Sequence, residues 1–170
     1  HKPFVLGIAG DSGSGKDTLV SAITDLIGTH SVVTLSGDNY HLWDRKKPIW
    51  QMVTHLNPTA NSLETFTKDL YSLISRQKIQ TRNYNHNNGK MSKPITVKSN
   101  DFILASGLHT LFFQSLRETY DLTIYLDIND ELRKYFKLKR DKVKRNQTTE
   151  EVMTKITERE PDAIRFIKPQ

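Results

Sequence analysis

The stretch that most constrains this chain is Gly10-Asp11-Ser12-Gly13-Ser14-Gly15-Lys16-Asp17-Thr18. It lies between the apolar, strand-like residues 4–9 and a segment whose Leu19, Ile23 and Leu26 recur at helical spacing. Strand, glycine-rich turn and helix in that order are what a phosphate-binding loop requires. Glycines at 10, 13 and 15 let the backbone turn tightly, so that successive N–H groups point into one concavity. The helix that follows adds the positive end of its dipole, and Lys16 reaches toward the outer phosphates. The alternative is a glycine-rich turn with a solvated lysine; the strand and helix on either side favour a nucleoside triphosphate site. Asp17 stands where a Ser or Thr usually follows the lysine, with Thr18 one place later. Thr18 can still offer a hydroxyl to a metal or a phosphate. Asp17 can orient a metal-bound water, or simply act as an acid stabilising the first helical turn.

At 170 residues the chain is expected to form a single domain, 1–170, with room for a real core. No apolar run approaches membrane-spanning length, no secretory leader is visible and cysteine is absent. The phosphate loop points to an intracellular, cytoplasmic setting without a membrane partner, while the absence of cysteine by itself says little about redox compartment. The chain starts at its first strand without an initiator methionine, which suggests a segment of something longer. The net charge of +6 is concentrated in residues 133–145, where eight basic residues accompany one acid. A nucleic-acid-binding helix, a solvated face and an element that closes over phosphates all fit such a run. Behind a phosphate loop, the last is favoured.

Further along, residues 31–36 predict a second strand ending at Gly37-Asp38-Asn39. Residues 40–61, with Pro48, Pro58 and two tryptophans, predict a long ordered loop of the kind that carries function. Asn61 or Ser62 should cap a helix bearing Leu63, Phe66, Leu70, Leu73 and Ile74 on one face. Residues 78–86, the Asn88-Gly89 turn and residues 94–97 suggest a short β-ribbon outside the main sheet. Residues 101–106 and 122–127 are buried strands, 110–117 a short helix, and Asp130 begins the basic helix. Thr148-Thr149-Glu150-Glu151 is a capping box for a last helix. Strands alternating with helices predict an α/β fold, a largely parallel sheet of four countable strands with a fifth expected beyond Gln170.

Asp38 should sit at the carboxyl end of its strand, beside the phosphate loop, where open α/β sheets bind ligands. A carboxylate there can take a proton from an attacking hydroxyl or hold Mg²⁺, although Gly37-Asp38-Asn39 alone is also an ordinary turn. The wider order of motifs runs from Gly37-Asp-Asn-Tyr-His41 and Arg45 through His55-Leu-Asn-Pro-Thr-Ala-Asn61 and Thr81-Arg-Asn-Tyr-Asn-His86. It continues with Ser106-Gly-Leu-His109, Arg140-Asp-Lys-Val-Lys-Arg145 and Ile167-Lys-Pro-Gln170. That ordered set resembles the phosphoribulokinase/uridine kinase family over nearly the whole chain, and its phosphoribulokinase branch in particular.

The resemblance implies a P-loop NTPase-type sheet with helices on both faces, a small β-ribbon and a helical lid. It implies ATP and Mg²⁺, and transfer of the γ-phosphoryl group to a hydroxyl of a small sugar, sugar phosphate or nucleoside. Asp38, Lys16 and Asp141 are then the catalytic residues, Asp38 as the base, and Asp38 with Thr18 faces the metal. His41, Arg45, Arg82, Tyr84 and His86 line the acceptor side, while Arg140, Asp141 and Arg145 belong to the lid with Lys16 facing them. Asn146 takes a place where the family commonly has glycine, a mild change because asparagine tolerates left-handed backbone. Ser106 replaces a glutamate expected near the metal. Ser106 and Asp17 together leave open a nucleotide-binding pseudokinase or regulatory module. Members of the family often associate, so self-association is also expected, and nucleic acid is not.

Overall fold

The computed structural model describes residues His1–Gln170. Strands β1 (Phe4–Gly10), β2 (Val32–Ser36), β7 (Phe102–Gly107) and β8 (Leu122–Leu126) form one sheet in the order β2-β7-β1-β8. Every pairing in it is parallel, with Ile8 opposite both Ser106 and Ile124. A strand covered on both faces needs apolar residues at consecutive positions, and β1 and β7 have them. Val5, Ala9, Ile103 and Ala105 pack on one face against Phe66, Leu70 and Leu73 of helix α2 (Leu63–Ile74). Leu6, Ile8 and Leu104 pack on the other against Leu19, Val20 and Ile23 of helix α1 (Lys16–Ile27). The helices therefore cover both faces, as expected, and the sheet within these residues has four strands.

The ribbon is built in two pieces. Strand β3 (Ile79–Thr81) pairs antiparallel with β6 (Ile95–Val97), and β4 (Tyr84–Asn85) with β5 (Lys90–Met91). Gly89 closes its turn at φ +69°, and a side chain there would collide with Arg45. The glycine is what lets Arg45 lie across the turn.

One local expectation needs correction, and two others gain detail. Helix α3 covers only Gln114–Arg117, because residues 108–112 are held in a turn: the Thr110 hydroxyl donates to the Gly107 carbonyl and the Gln170 side chain accepts from Leu111 N–H. Ser62 does cap α2, but its hydroxyl bonds the Thr65 side chain instead of a backbone N–H. Residues 40–61 form an ordered loop, as expected, and it holds the 3₁₀ turns Pro48–Gln51 and Pro58–Ala60. The capping box at Thr148 and Glu151 forms as predicted, opening α5 (Thr149–Asp162).

Helix α4 (Asp130–Lys144) lies on the glycine loop, and its N-cap is Asn129. A Cβ at Gly13, where φ is +82°, would come within 3.0 Å of the Arg133 carbonyl oxygen and 3.1 Å of Lys137 Cβ. The loop glycine thus serves the close packing of α4 on the loop. No helix is long and apolar enough to cross a membrane.

Candidate active site

The loop between β1 and α1 is held from below. Lys16 Nζ donates to the carbonyls of Gly10 and Asp11, both at 2.8 Å. Asp11 accepts from the Ser12 N–H and pairs with Arg133 of α4 at 3.3 Å, so its carboxylate is buried and directed away from the mouth of the loop. Ser12, Gly13, Ser14, Gly15, Lys16, Asp17 and Thr18 line one wall of a cavity of about 1120 Å³. Burial lowers the Lys16 amine to about 8, against the attraction of Asp38, Asp17 and Asp11.

Asp38 lines the same cavity. It sits in the 3₁₀ turn Gly37–Tyr40 at the end of β2, where the Ser36 hydroxyl accepts its N–H and Tyr40 buries its ring against Phe66 while donating to Asp69. Its Oδ2 is 3.0 Å from His86 Nε2 and its Oδ1 is 3.7 Å from His41 Nε2. Burial raises its carboxyl, but the His86 hydrogen bond, the charges that His41 and His86 carry when protonated, and that of Lys16 outweigh it and hold the group well below the usual carboxylate range.

The ribbon brings Tyr84 and His86 to this wall. Asn39 accepts from the Tyr84 N–H, and the Arg45 guanidinium donates to the His86 carbonyl. Tyr84 stands edge-on to both His41 and His86. Arg82, by contrast, is exposed and does not line the cavity, because it falls in the break between β3 and β4.

The opposite wall comes from the end of α4. Buried Asp141 pairs with Arg140 at 2.7 Å and with Arg145 at 3.5 Å, and Arg140 also reaches the Ser12 hydroxyl at 3.3 Å. One carboxylate therefore sets both guanidinium groups over the loop. Asn146 closes the helix at φ +51°, the left-handed backbone expected of it. Of the eight basic residues in 133–145, Arg133 and Lys137 are buried, and Lys139, Arg140, Lys144 and Arg145 line the cavity. The run is mainly inward-facing, unlike a helix that lays its cations on a nucleic acid.

Further side chains lie in or beside this site, and of these Lys155 and Arg159 fall outside both the motifs and the basic run. Lys137 is 2 % exposed and its amine lies well below the ordinary lysine value through burial. Its spacing from Arg133 and Asp141, four residues each way, is the signal for a charged stripe buried on one helix face. Lys155 and Arg159, one turn apart on α5, face the cavity beside Arg45. Burial, then the charges of Arg159 and Arg45, lowers Lys155 to about 8. His55 stacks on Trp50 at 3.7 Å, and both its ring nitrogens are buried without a partner.

Ser106 is buried at the tip of β7, in register with Ser36 and Ile8. Its hydroxyl brings no charge there, and no group of three or more His, Cys, Asp or Glu side chains is arranged to hold a metal unaided. One carboxylate and one hydroxyl, Asp38 and Thr18, are hard oxygen donors of the kind that share Mg²⁺ with phosphate oxygens and water. The donor set fits a metal that arrives with a polyphosphate.

A family model described as the phosphoribulokinase/uridine kinase family matches residues 5–170. A phosphoribulokinase of Synechocystis sp. is 36% identical over 166 residues, covering 98% of this chain and 50% of that protein. A uridine kinase of Lactobacillus helveticus is 28% identical over 174 residues, covering 99% of this chain and 82% of that protein. The solved structure of phosphoribulokinase from Rhodobacter spheroides superposes with a TM-score of 0.76 at 21% identity, over 99% of this chain and 66% of the other. The chain spans about half the length of the curated phosphoribulokinases it matches.

Proposed function

Because this chain belongs to the phosphoribulokinase/uridine kinase family, we propose that it catalyses ATP-dependent transfer of a phosphoryl group to a hydroxyl of a sugar, sugar phosphate or nucleoside. The observation that carries this reading is the single cavity whose walls include the Ser12–Thr18 loop on one side and Asp38, His41, Arg45 and His86 on another. A donor phosphate and an acceptor hydroxyl can meet there without crossing bulk solvent.

Lys16 and the N–H groups at the start of α1 hold the triphosphate, and Arg140 and Arg145 close over it, set by Asp141. In this reading Asp141 acts through the arginines. Asp38, ionised throughout the neutral range, orients the acceptor hydroxyl by accepting its hydrogen bond. It takes the proton late, once bonding to phosphorus has made that hydroxyl acidic. Thr18 and Asp38 would hold Mg²⁺, which when bound neutralises charge on the phosphates. Arg45, Lys155 and Arg159 form a cationic patch at the acceptor end, which favours a phosphate-bearing acceptor over a plain sugar or nucleoside. The region 1–170 acts as one kinase domain.

ADP release measured with a panel of pentoses, pentose phosphates and nucleosides tests the proposal. Acceptor-dependent turnover, strongest with a pentose phosphate, is the expected result. Nucleotide binding with no acceptor-dependent turnover across the panel would contradict it.

A further inference from the structure

We propose that Asn61 is a positioning residue that keeps the His41 proton on Nδ1, so that His41 Nε2 and Asp38 Oδ1 form a paired proton-acceptor site for two adjacent hydroxyls of one polyol. The Asn61 amide is anchored through its nitrogen. Its Nδ2 donates to the carbonyls of His55, at 2.9 Å, and Asn57, at 3.1 Å. Both partners only accept, so the orientation of the amide is fixed and its Oδ1 is the atom left facing His41 Nδ1 at 2.6 Å. An amide oxygen cannot donate. The hydrogen in that contact therefore belongs to His41 Nδ1, and in the neutral ring Nε2 carries a lone pair.

A histidine next to a carboxylate would ordinarily turn its N–H toward it. Here the Nε2 to Asp38 Oδ1 separation is 3.7 Å, too long for a hydrogen bond. Asp38 receives its donor on the other oxygen, from His86 at 3.0 Å. The His41 ring has little freedom to rearrange: its side chain is 6% exposed and it is wedged edge-on against His55 and Tyr84, at centroid distances of 4.3 and 5.1 Å. Two acceptor atoms thus border the same end of the cavity. A phosphate or carboxylate oxygen is repelled from that position, whereas a pair of neighbouring hydroxyls satisfies both atoms. One hydroxyl gives its proton to Asp38 while its neighbour is held by His41. The hydroxyl half rests on the kinase reading above; the tautomer half rests on the hydrogen bonds alone.

The two halves are tested separately. Long-range ¹H–¹⁵N correlation of ring-labelled protein at mildly alkaline pH reports the tautomer of each histidine, with His41 assigned from the His41→Gln spectrum. The expected pattern has a protonated, pyrrole-type Nδ1 and a pyridine-type Nε2, and the reverse pattern in the wild-type protein overturns the proposal without any variant. Asn61→Leu is expected to move the proton to Nε2, and Asn61→Asp, which keeps the accepting oxygen, to leave it on Nδ1. A folded Asn61→Leu protein with an unchanged His41 tautomer also overturns it. For the ligand half, ribulose 5-phosphate is expected to shift the Nε2 resonance upfield, while inorganic phosphate leaves it in place. The reverse response overturns the hydroxyl assignment but leaves the tautomer standing. In turnover, Asn61→Leu is expected to raise the acceptor KM about tenfold, the worth of one ordinary hydrogen bond, with the ATP KM unchanged. Absence of turnover with every acceptor, alongside the expected spectrum, would count against the kinase reading and not against the tautomer.

Discussion

Burial lowers the Lys16 amine to about 8, while Asp38, Asp17 and Asp11 pull it the other way. Below that value the group is an ammonium that can pair with phosphate; above it the pairing must first recruit a proton. ATP affinity should therefore fall as pH rises through about 8. Lys16→Met should weaken binding at neutral pH by roughly 1.5–3 kcal/mol, the range for hydrogen bonds to charged groups, and flatten that pH dependence. Calorimetric titration across the neutral and alkaline range checks both. The role of Lys16 is legible in sequence because the loop is local: strand, turn and helix are contiguous. Asn146 is legible for the same reason, its left-handed backbone following from residue type. The environment of Asp11 is not, since the Arg133 that claims its carboxylate arrives from a helix far along the chain. Arg82 shows the converse. A motif places it near the acceptor, yet a two-residue break in the ribbon leaves it facing outward.

At the scale of elements, helix α4 and the glycine loop fit by contact. Gly13→Ala forces a side chain into left-handed backbone, at about 1–2 kcal/mol, and drives its Cβ toward the Arg133 carbonyl at 3.0 Å. Lower thermal stability and weaker ATP binding should appear together, because moving α4 also moves Arg140; an unchanged protein in both assays would mean that the contact is slack. His109 joins the turn after β7 to the 40–61 segment through Nε2, which donates to the Leu56 carbonyl at 2.6 Å. Burial lowers its pKa to about 4. The unfolded chain takes up this proton below about pH 6.5, whereas the folded one waits until about 4, so stability falls as pH falls through that window. The loss is roughly 3 kcal/mol, at about 1.4 kcal/mol per pH unit. His109→Gln keeps a donor without the titration, and its acid-unfolding limb should be shallower than the wild type's. The strands and the helices α1, α2 and α5 were readable from periodicity and caps. The inward face of α4 was not, because a run of lysines and arginines looks solvated until the sheet order sets it above the loop.

Across the whole molecule, two walls distant in sequence face each other. In the proposed reading the nucleotide wall comes from the loop after β1, α1 and the end of α4, and the acceptor wall from the end of β2, the 41–61 segment, the ribbon and α5. The ordered motifs disclosed that both walls exist. They did not disclose Lys155 and Arg159 as members of the acceptor wall, since nothing in α5 but a one-turn spacing marks them, nor the replacement of a charged group by Ser106 as a change the fold accommodates within β7. Phosphoryl transfer in the proposed reading depends most on Asp38 acting at the meeting point of those walls. The direct test is acceptor-dependent ADP release by Asp38→Asn beside the wild type, with ATP affinity measured on the same samples. Turnover should drop by roughly 10²–10⁴-fold, the usual contribution of a positioned base, with ATP affinity held within a few-fold. Turnover by Asp38→Asn close to that of the wild type would contradict the account.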